Sequence, residues 1–278
     1  MSTTTTVELQ RPLSLYLNKP EPELETDDIF ARCPEELVHL ALKKLVFINV
    51  DLIDFRATLY RRMNVPLITV DYTYLVPDDL LFKASQALLE LGLPIGHPES
   101  FVSKSRGDLM ALGKKHRITR SALPGQVRYL ILLPSSFASF TPGELYKIPI
   151  YPPNGSTFDD SVYISCPRPS AVYAFLFRAL ARYSRAANTR TVLLSDLAEL
   201  IRYDMYHLTG YNEEGDDEDS DDYNPEDDPV IQDALGRVKG WSRAGEWRKG
   251  EEWIGDCLGA IIEGTGRVDY VPWSTGKP

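Results

Sequence analysis

The sequence predicts an α/β protein: a mixed sheet of four to five strands packed with helices, with a disordered acidic loop late in the chain. Three observations carry this expectation. Pro66 to Val76 is dense in β-branched and aromatic residues, and a helix-spaced apolar stripe follows it directly. Further strand-like runs near 126–134, 147–151 and 162–165 are interleaved with helical segments. Between Glu213 and Asp228 there are 11 acids and no Lys or Arg, with too few apolar residues to offset the entropy of ordering.

Taken in order, residues 1–28 are Thr-rich, then Pro- and Glu-rich, and read as a mobile arm partly docked through Leu13, Leu15 and Tyr16. The arm's acidic end, reaching Asp28, suits the cap of a short helix. Cys33-Pro34-Glu35-Glu36 opens a helix, with Pro at the first helical position and acids in the first turn. Leu37, Val38, Ala41, Leu42 and Leu45 give it an apolar face. Leu52, Phe55, Leu59 and Met63 share helical spacing, so a second helix is expected over 52–63.

The Pro66–Val76 strand carries Asp71 and Thr73. Pro77-Asp78-Asp79 starts the next helix, with the acids at its N-cap and first turn. Leu80, Leu81, Ala84, Ala87, Leu88 and Leu91 form its stripe, and Gly92 with Pro94 ends it. Residues 96–125 read as a basic loop around a short strand. Ser170 is expected to cap a helix with Val172, Phe175, Leu176, Ala179 and Leu180 inward and Arg178, Arg182 and Arg185 on the other side. Ser195 is expected to cap the next one. The resulting division is an arm (1–28), an α/β domain (29–210), the acidic segment (211–229) and a Trp-rich extension (230–278).

Composition excludes several classes. Of the 40 acids, 11 lie in the acidic segment, so 29 remain against 30 bases and the rest of the chain is close to neutral. No apolar run approaches the ~20 residues a membrane span needs. The first residues lack a basic stretch followed by an apolar one, so no secretory leader is expected. Three separated cysteines indicate neither a disulfide framework nor a zinc ribbon, and a reducing cytoplasm or nucleus fits. The basic residues 104–120 lack interleaved aromatics, so a solvated loop is expected rather than a nucleic-acid surface. The four histidines share no ligand spacing, and no nucleophile elbow, P-loop or dinucleotide fingerprint is present. Asn154-Gly155-Ser156 reads as a turn.

The segment Thr69-Val70-Asp71-Tyr72-Thr73-Tyr74-Leu75-Val76-Pro77-Asp78 resembles the nucleotidyltransferase-superfamily strand that carries an Asp-x-Asp motif and leads into a helix. Leu91-Gly92-Leu93-Pro94 is similar to the turn that closes that helix. Ile164-Ser165-Cys166-Pro167, a basic helix, and Leu194-Ser195-Asp196-Leu197 are similar, in that order, to toxin- and antitoxin-type members. The resemblance covers residues 40–205.

It implies a nucleotidyltransferase-like fold with Asp71 as catalytic and metal residue and Mg²⁺ as its cation. It also implies a nucleoside triphosphate held by Arg178, Arg182 and Thr73. Two carboxylates two residues apart on a strand face one side, and with a third they hold two divalent ions. Here Thr73 stands at the second position, no Gly-Ser pair lies in the stretch from Val50 to Pro66, and strand 126–134 has no acid.

The implied function is therefore a nucleotide-binding or regulatory module with a degraded metal site. Two alternatives stay open. One is an active transferase with a single-carboxylate site. The other is a protein-interaction partner acting through residues 213–228; for the basic residues 104–120, pairing with that same acidic segment as an autoinhibitory tail is a further option. Asp71 has a structural alternative as well, an ion pair with Arg61 or Arg62.

Overall fold

A computed structural model describes residues 28–98, 100–121, 123, 125–153, 161–208, 228–268 and 271. The arm before Asp28, the sequon at 154–156 and the acidic segment up to residue 227 lie outside the described residues.

Asp28 caps the short helical turn Ile29–Ala31, its carboxylate accepting the Phe30 amide at 3.2 Å. Helix α1 (Pro34–Phe47) follows, then strand β1 (Ile53–Phe55), helix α2 (Ala57–Arg62) and strand β2 (Tyr72–Val76). A single turn at Asp78–Leu80 leads into α3 (Leu81–Glu90). Next come α4 (Ser100–Arg106), α5 (Asp108–Ala111), β3 (Lys114–Arg117), β4 (Tyr129–Pro134), β5 (Leu145–Ile150) and β6 (Val162–Pro167). Helices α6 (Pro169–Arg182) and α7 (Asn188–Leu200) complete the first half, and α7 runs on into one wide helical turn at Ile201–Met205. The C-terminal part is a helix pair, α8 (Pro229–Arg243) and α9 (Trp253–Ile262).

The described strands form one mixed sheet in the order β3-β4-β2-β1-β6-β5. Strand β2 runs parallel to β4, with Thr73 opposite Ile131, and antiparallel to β1, with Thr73 opposite Phe55. Strand β1 is parallel to β6. Helices cover both faces. On one, α1 and α3 pack Leu42, Leu45, Ala84 and Leu88 against Tyr74, Leu130, Leu132 and Ile164. On the other, α6 packs Phe175 and Leu176 over Phe55, Leu75 and Leu133. Each such aliphatic or aromatic side chain taken from water contributes about 1.5–3 kcal/mol, an upper figure relative to a real unfolded chain.

The α/β class with a mixed sheet is thus observed, with six strands rather than four or five. The additional strand is β1, and a second stretch holds its expected short strand but more helix than expected. The expected helix over 52–63 is split into β1 and α2. A three-residue strand has no room to show alternation, and Leu52 and Phe55 sit by chance at helical spacing from Leu59. The basic stretch 96–125 holds α4, α5 and β3 rather than a loop with one short strand.

Two serine caps are also corrected. The N-cap of α6 is Arg168, and Ser170 instead donates to Glu246. Helix α7 begins at Asn188, which leaves Ser195 inside it. Gly92 ends the α3 region as expected, at φ 95°, a left-handed conformation that costs glycine little.

The expected C-terminal extension shares the main core. Leu235, Val238, Ile254, Leu258 and Ile262 join the cluster built on α6 and α7. Polar contacts fix this docking. The Tyr173 hydroxyl donates to Asp204 at 2.9 Å, and Arg237 donates to both Asp204 oxygens at 3.1 Å. Trp241 stacks at a tilt on Tyr173, 5.7 Å between centroids, and Trp253 meets Phe177 edge-on at 6.1 Å.

Candidate functional site

Where β1 ends, the chain must turn at once into α2, and the turning residue is Arg56. Its φ of 57° and ψ of −118° lie in a region that a side chain rarely adopts and glycine adopts readily. The guanidinium is held in a fork: Nη2 donates to Asp196 Oδ1 at 2.8 Å and Nε to Oδ2 at 3.1 Å. Asp196 projects from α7, and the Tyr60 hydroxyl of α2 donates to its Oδ2 at 3.2 Å. Burial alone would lower the Arg56 pKa, but Asp196 and Tyr60 outweigh it and the guanidinium stays charged. Burial, then the Asp196 charge, push the Tyr60 phenol well above its ordinary value, so it remains a donor.

Asp71 sits one residue before β2 rather than within it. Its Oδ1 accepts the Tyr129 amide at 2.9 Å, at the first residue of β4, and its Oδ2 accepts Arg106 Nη1 at 2.9 Å, from the end of α4. The carboxylate thus ties two neighbouring strand starts to a helix end. The structural alternative, an ion pair with an arginine, is met in kind, with Arg106 rather than Arg61 or Arg62. Arg62 Nε donates instead to the fully buried Asp54 at 3.0 Å, and Arg61 reaches Thr69 at 3.3 Å. Burial raises the Asp54 pKa, with Thr58 and Arg62 working against it.

These groups surround a cleft of about 260 Å³. Asp71, Thr73, Arg56, Arg106 and Asp196 supply its polar part, and Leu67, Leu109, Met110, Ile131 and Leu133 its apolar walls. Ile68 and Val70, both well exposed, stand on its rim. Of the sequence-derived site residues, Asp71 and Thr73 therefore meet in one cleft.

Arg178 and Arg182 do not line it. Arg178 reaches Glu144 at 2.6 Å and Glu251 at 2.7 Å, and Arg182 donates to the Phe137 carbonyl at 2.7 Å. The α6 basic stripe thus ties the sheet edge to the C-terminal helices. Asp78, expected to cap its own helix, instead accepts the Ser136 amide at 3.0 Å and the Ser135 hydroxyl at 3.2 Å across the sheet end.

The residues sequence reading missed are Arg56, Arg106 and Asp196. Arg106 was grouped with a solvated basic loop. Asp196 belonged to a resemblance but was assigned no role. A carboxylate in the helical run Leu193–Leu200 beside apolar Leu193 and Leu197 was the available signal.

Arg56 offers a direct test of backbone strain. Arg56→Gly loses the fork but relieves the turn, whereas Arg56→Ala loses the fork and keeps the strain. The alanine variant is expected to be about 1–2 kcal/mol less stable than the glycine variant in denaturant melts. Equal midpoints would show that the turn is unstrained.

Both Asp71 oxygens and both Asp196 oxygens already accept hydrogen bonds. Among the described residues no group of three His, Cys, Asp or Glu side chains is placed to hold a metal ion. No helix among the described residues is long and apolar enough to cross a membrane. No protein-family model matches the chain, and no curated protein or solved structure matches it either.

Proposed function

We propose that the chain is a nucleotide-binding module with a nucleotidyltransferase-like fold, acting in binding or regulation rather than in metal-dependent transfer. One observation supports this most: Asp71 and Thr73, the two positions singled out by the strand motif, share a cleft with two arginines, while the carboxylates are spent on internal hydrogen bonds. An apolar wall with a few convergent polar groups is the usual make-up of a small-molecule site. Arg106 gives Asp71 only Nη1, so its other nitrogens can meet a phosphate oxygen.

The test is thermal stability with adenine, guanine, cytosine and uracil nucleotides, with and without Mg²⁺. A ligand that binds only the folded chain raises the midpoint by mass action. At least one nucleotide is expected to do so in EDTA. No shift with any of them would remove the reading. A shift seen only with Mg²⁺ would favour the transferase alternative with Asp71 as its metal ligand. Arg106→Ala is expected to weaken binding by about tenfold or more, the scale of a lost hydrogen bond to a charged group. Unchanged affinity would place the ligand elsewhere.

A further inference from the structure

We infer that the cleft is built for a nucleoside monophosphate and selects against di- and triphosphates, an inference that rests on the nucleotide-binding reading above. The first ground is charge. The ionised side chains lining the cleft are Arg56, Arg106, Asp71 and Asp196, two of each sign. Each arginine is neutralised at hydrogen-bond distance by an aspartate: Arg56 by Asp196 at 2.8 Å and Arg106 by Asp71 at 2.9 Å. The site offers local donors but no net positive field. One phosphate can bond to the Arg106 nitrogens that Asp71 leaves open, while further phosphates add negative charge for which the neutral lining supplies no compensating field.

The second ground is the lack of a counter-ion. Triphosphates are ordinarily held with Mg²⁺ carried by carboxylates and phosphate oxygens together. Here the four carboxylate oxygens of the cleft accept from Arg106, Tyr129, Arg56 and Tyr60. A cation there would share those oxygens with donors already bound and would stand beside the Arg56 and Arg106 charges.

The third ground is size and lining. At about 260 Å³ the cleft lies near the roughly 300 Å³ lower end of small-molecule sites, room for a base and sugar. Its inner wall is apolar, at Leu109, Met110 and Leu133. Arg106, by contrast, is more than a third exposed. The base therefore enters the wall and the phosphate stays at the mouth.

The experiment is calorimetric titration of the full chain in EDTA with a nucleoside and its mono-, di- and triphosphate, for each of the four bases. The monophosphate of the preferred base is expected to bind at least about fivefold more tightly than its triphosphate. Affinity that rises with each added phosphate overturns the inference and leaves the nucleotide-binding reading standing. No binding by any member of the series overturns both.

Asp71→Asn separates the mechanisms further. It keeps an acceptor for the Tyr129 amide but removes the charge facing Arg106. The variant is expected to bind the monophosphate about fivefold more tightly and to lose most of the discrimination against the triphosphate. A retained melting midpoint with abolished monophosphate binding would overturn the inference, because Asp71 would then be a ligand-binding group and not a repulsive one.

Discussion

Replacing Glu144 by Gln is expected to lower stability by about 3–5 kcal/mol and the thermal midpoint by on the order of 10 °C. Glu144 is 7% exposed and sits at the junction of strand β5, helix α6 and the loop before α9. Its Oε1 accepts Arg178 at 2.6 Å, and its Oε2 accepts Arg248 at 2.6 Å and the Thr141 amide at 2.7 Å. Arg178 is bound in turn by Glu251. Removing the central charge leaves two guanidiniums sharing a largely desolvated space with one remaining carboxylate, and that loss is far costlier than losing a surface pair.

The same carboxylate gives a pH signature. Burial pushes its pKa up, but Arg248, the Thr141 amide and Arg178 outweigh that and hold it at about 2, against an ordinary 4.5. A depressed folded-state pKa means the unfolded chain takes the proton first. The contribution is complete above about pH 4.5 and is lost as pH falls toward 2. Melts of the parent and Glu144→Gln from pH 6 to pH 3 check this. The two curves should converge in the acid range, and a constant gap would remove the assignment.

A chain ending at residue 208 is expected to lose its cooperative transition altogether. It lacks α8, α9 and their connection, whose Leu235, Val238, Trp247, Ile254, Leu258 and Ile262 are buried in the same core as α6. At about 1.5–3 kcal/mol for each buried apolar side chain, the loss matches or exceeds the 5–15 kcal/mol of a typical folded chain. Tyr173, fully buried in the native protein, would face water along with Phe177. Circular dichroism melts with a dye that binds exposed apolar surface report the result. A truncated chain melting cooperatively near the parent midpoint would show that the helix pair is an appendage.

How far the sequence reveals this molecule depends on the range over which each signal acts. Helices α1, α3 and α6 were legible because their apolar stripes and their Pro and Gly boundaries are local. Strands β2 and β4 were legible because β-branched and aromatic residues crowd into them. Strand β1 was not, since three residues between β2 and β6 owe their conformation to two neighbours distant in the chain. The wide turn Ile201–Met205 carried no signal of its own either.

The candidate site divides in the same way. Asp71 stood out because a carboxylate in an apolar run is locally odd, and Thr73 because it stands at the second position of the motif the strand resembles. Arg106 lies 35 residues from Asp71, and Asp196 lies 140 from Arg56. Their pairing is a property of the fold alone. Arg178 and Arg182 misled for the converse reason: a basic stripe on a helix looks the same whether it meets a ligand, water or the chain's own Glu144 and Glu251.

The placement of the tryptophans determines what light can report. All four lie beyond residue 240; Trp241 packs on Trp247 and on Tyr173 of α6, and Trp253 packs on Phe177 of α6. Of these three, none lines the cleft at Asp71. The emission of these three, excited at the red edge, therefore follows the seating of the C-terminal helix pair and stays nearly silent when the cleft fills. A dimmed or red-shifted spectrum in a variant signals a loosened helix pair, and an unchanged one says nothing against an occupied cleft.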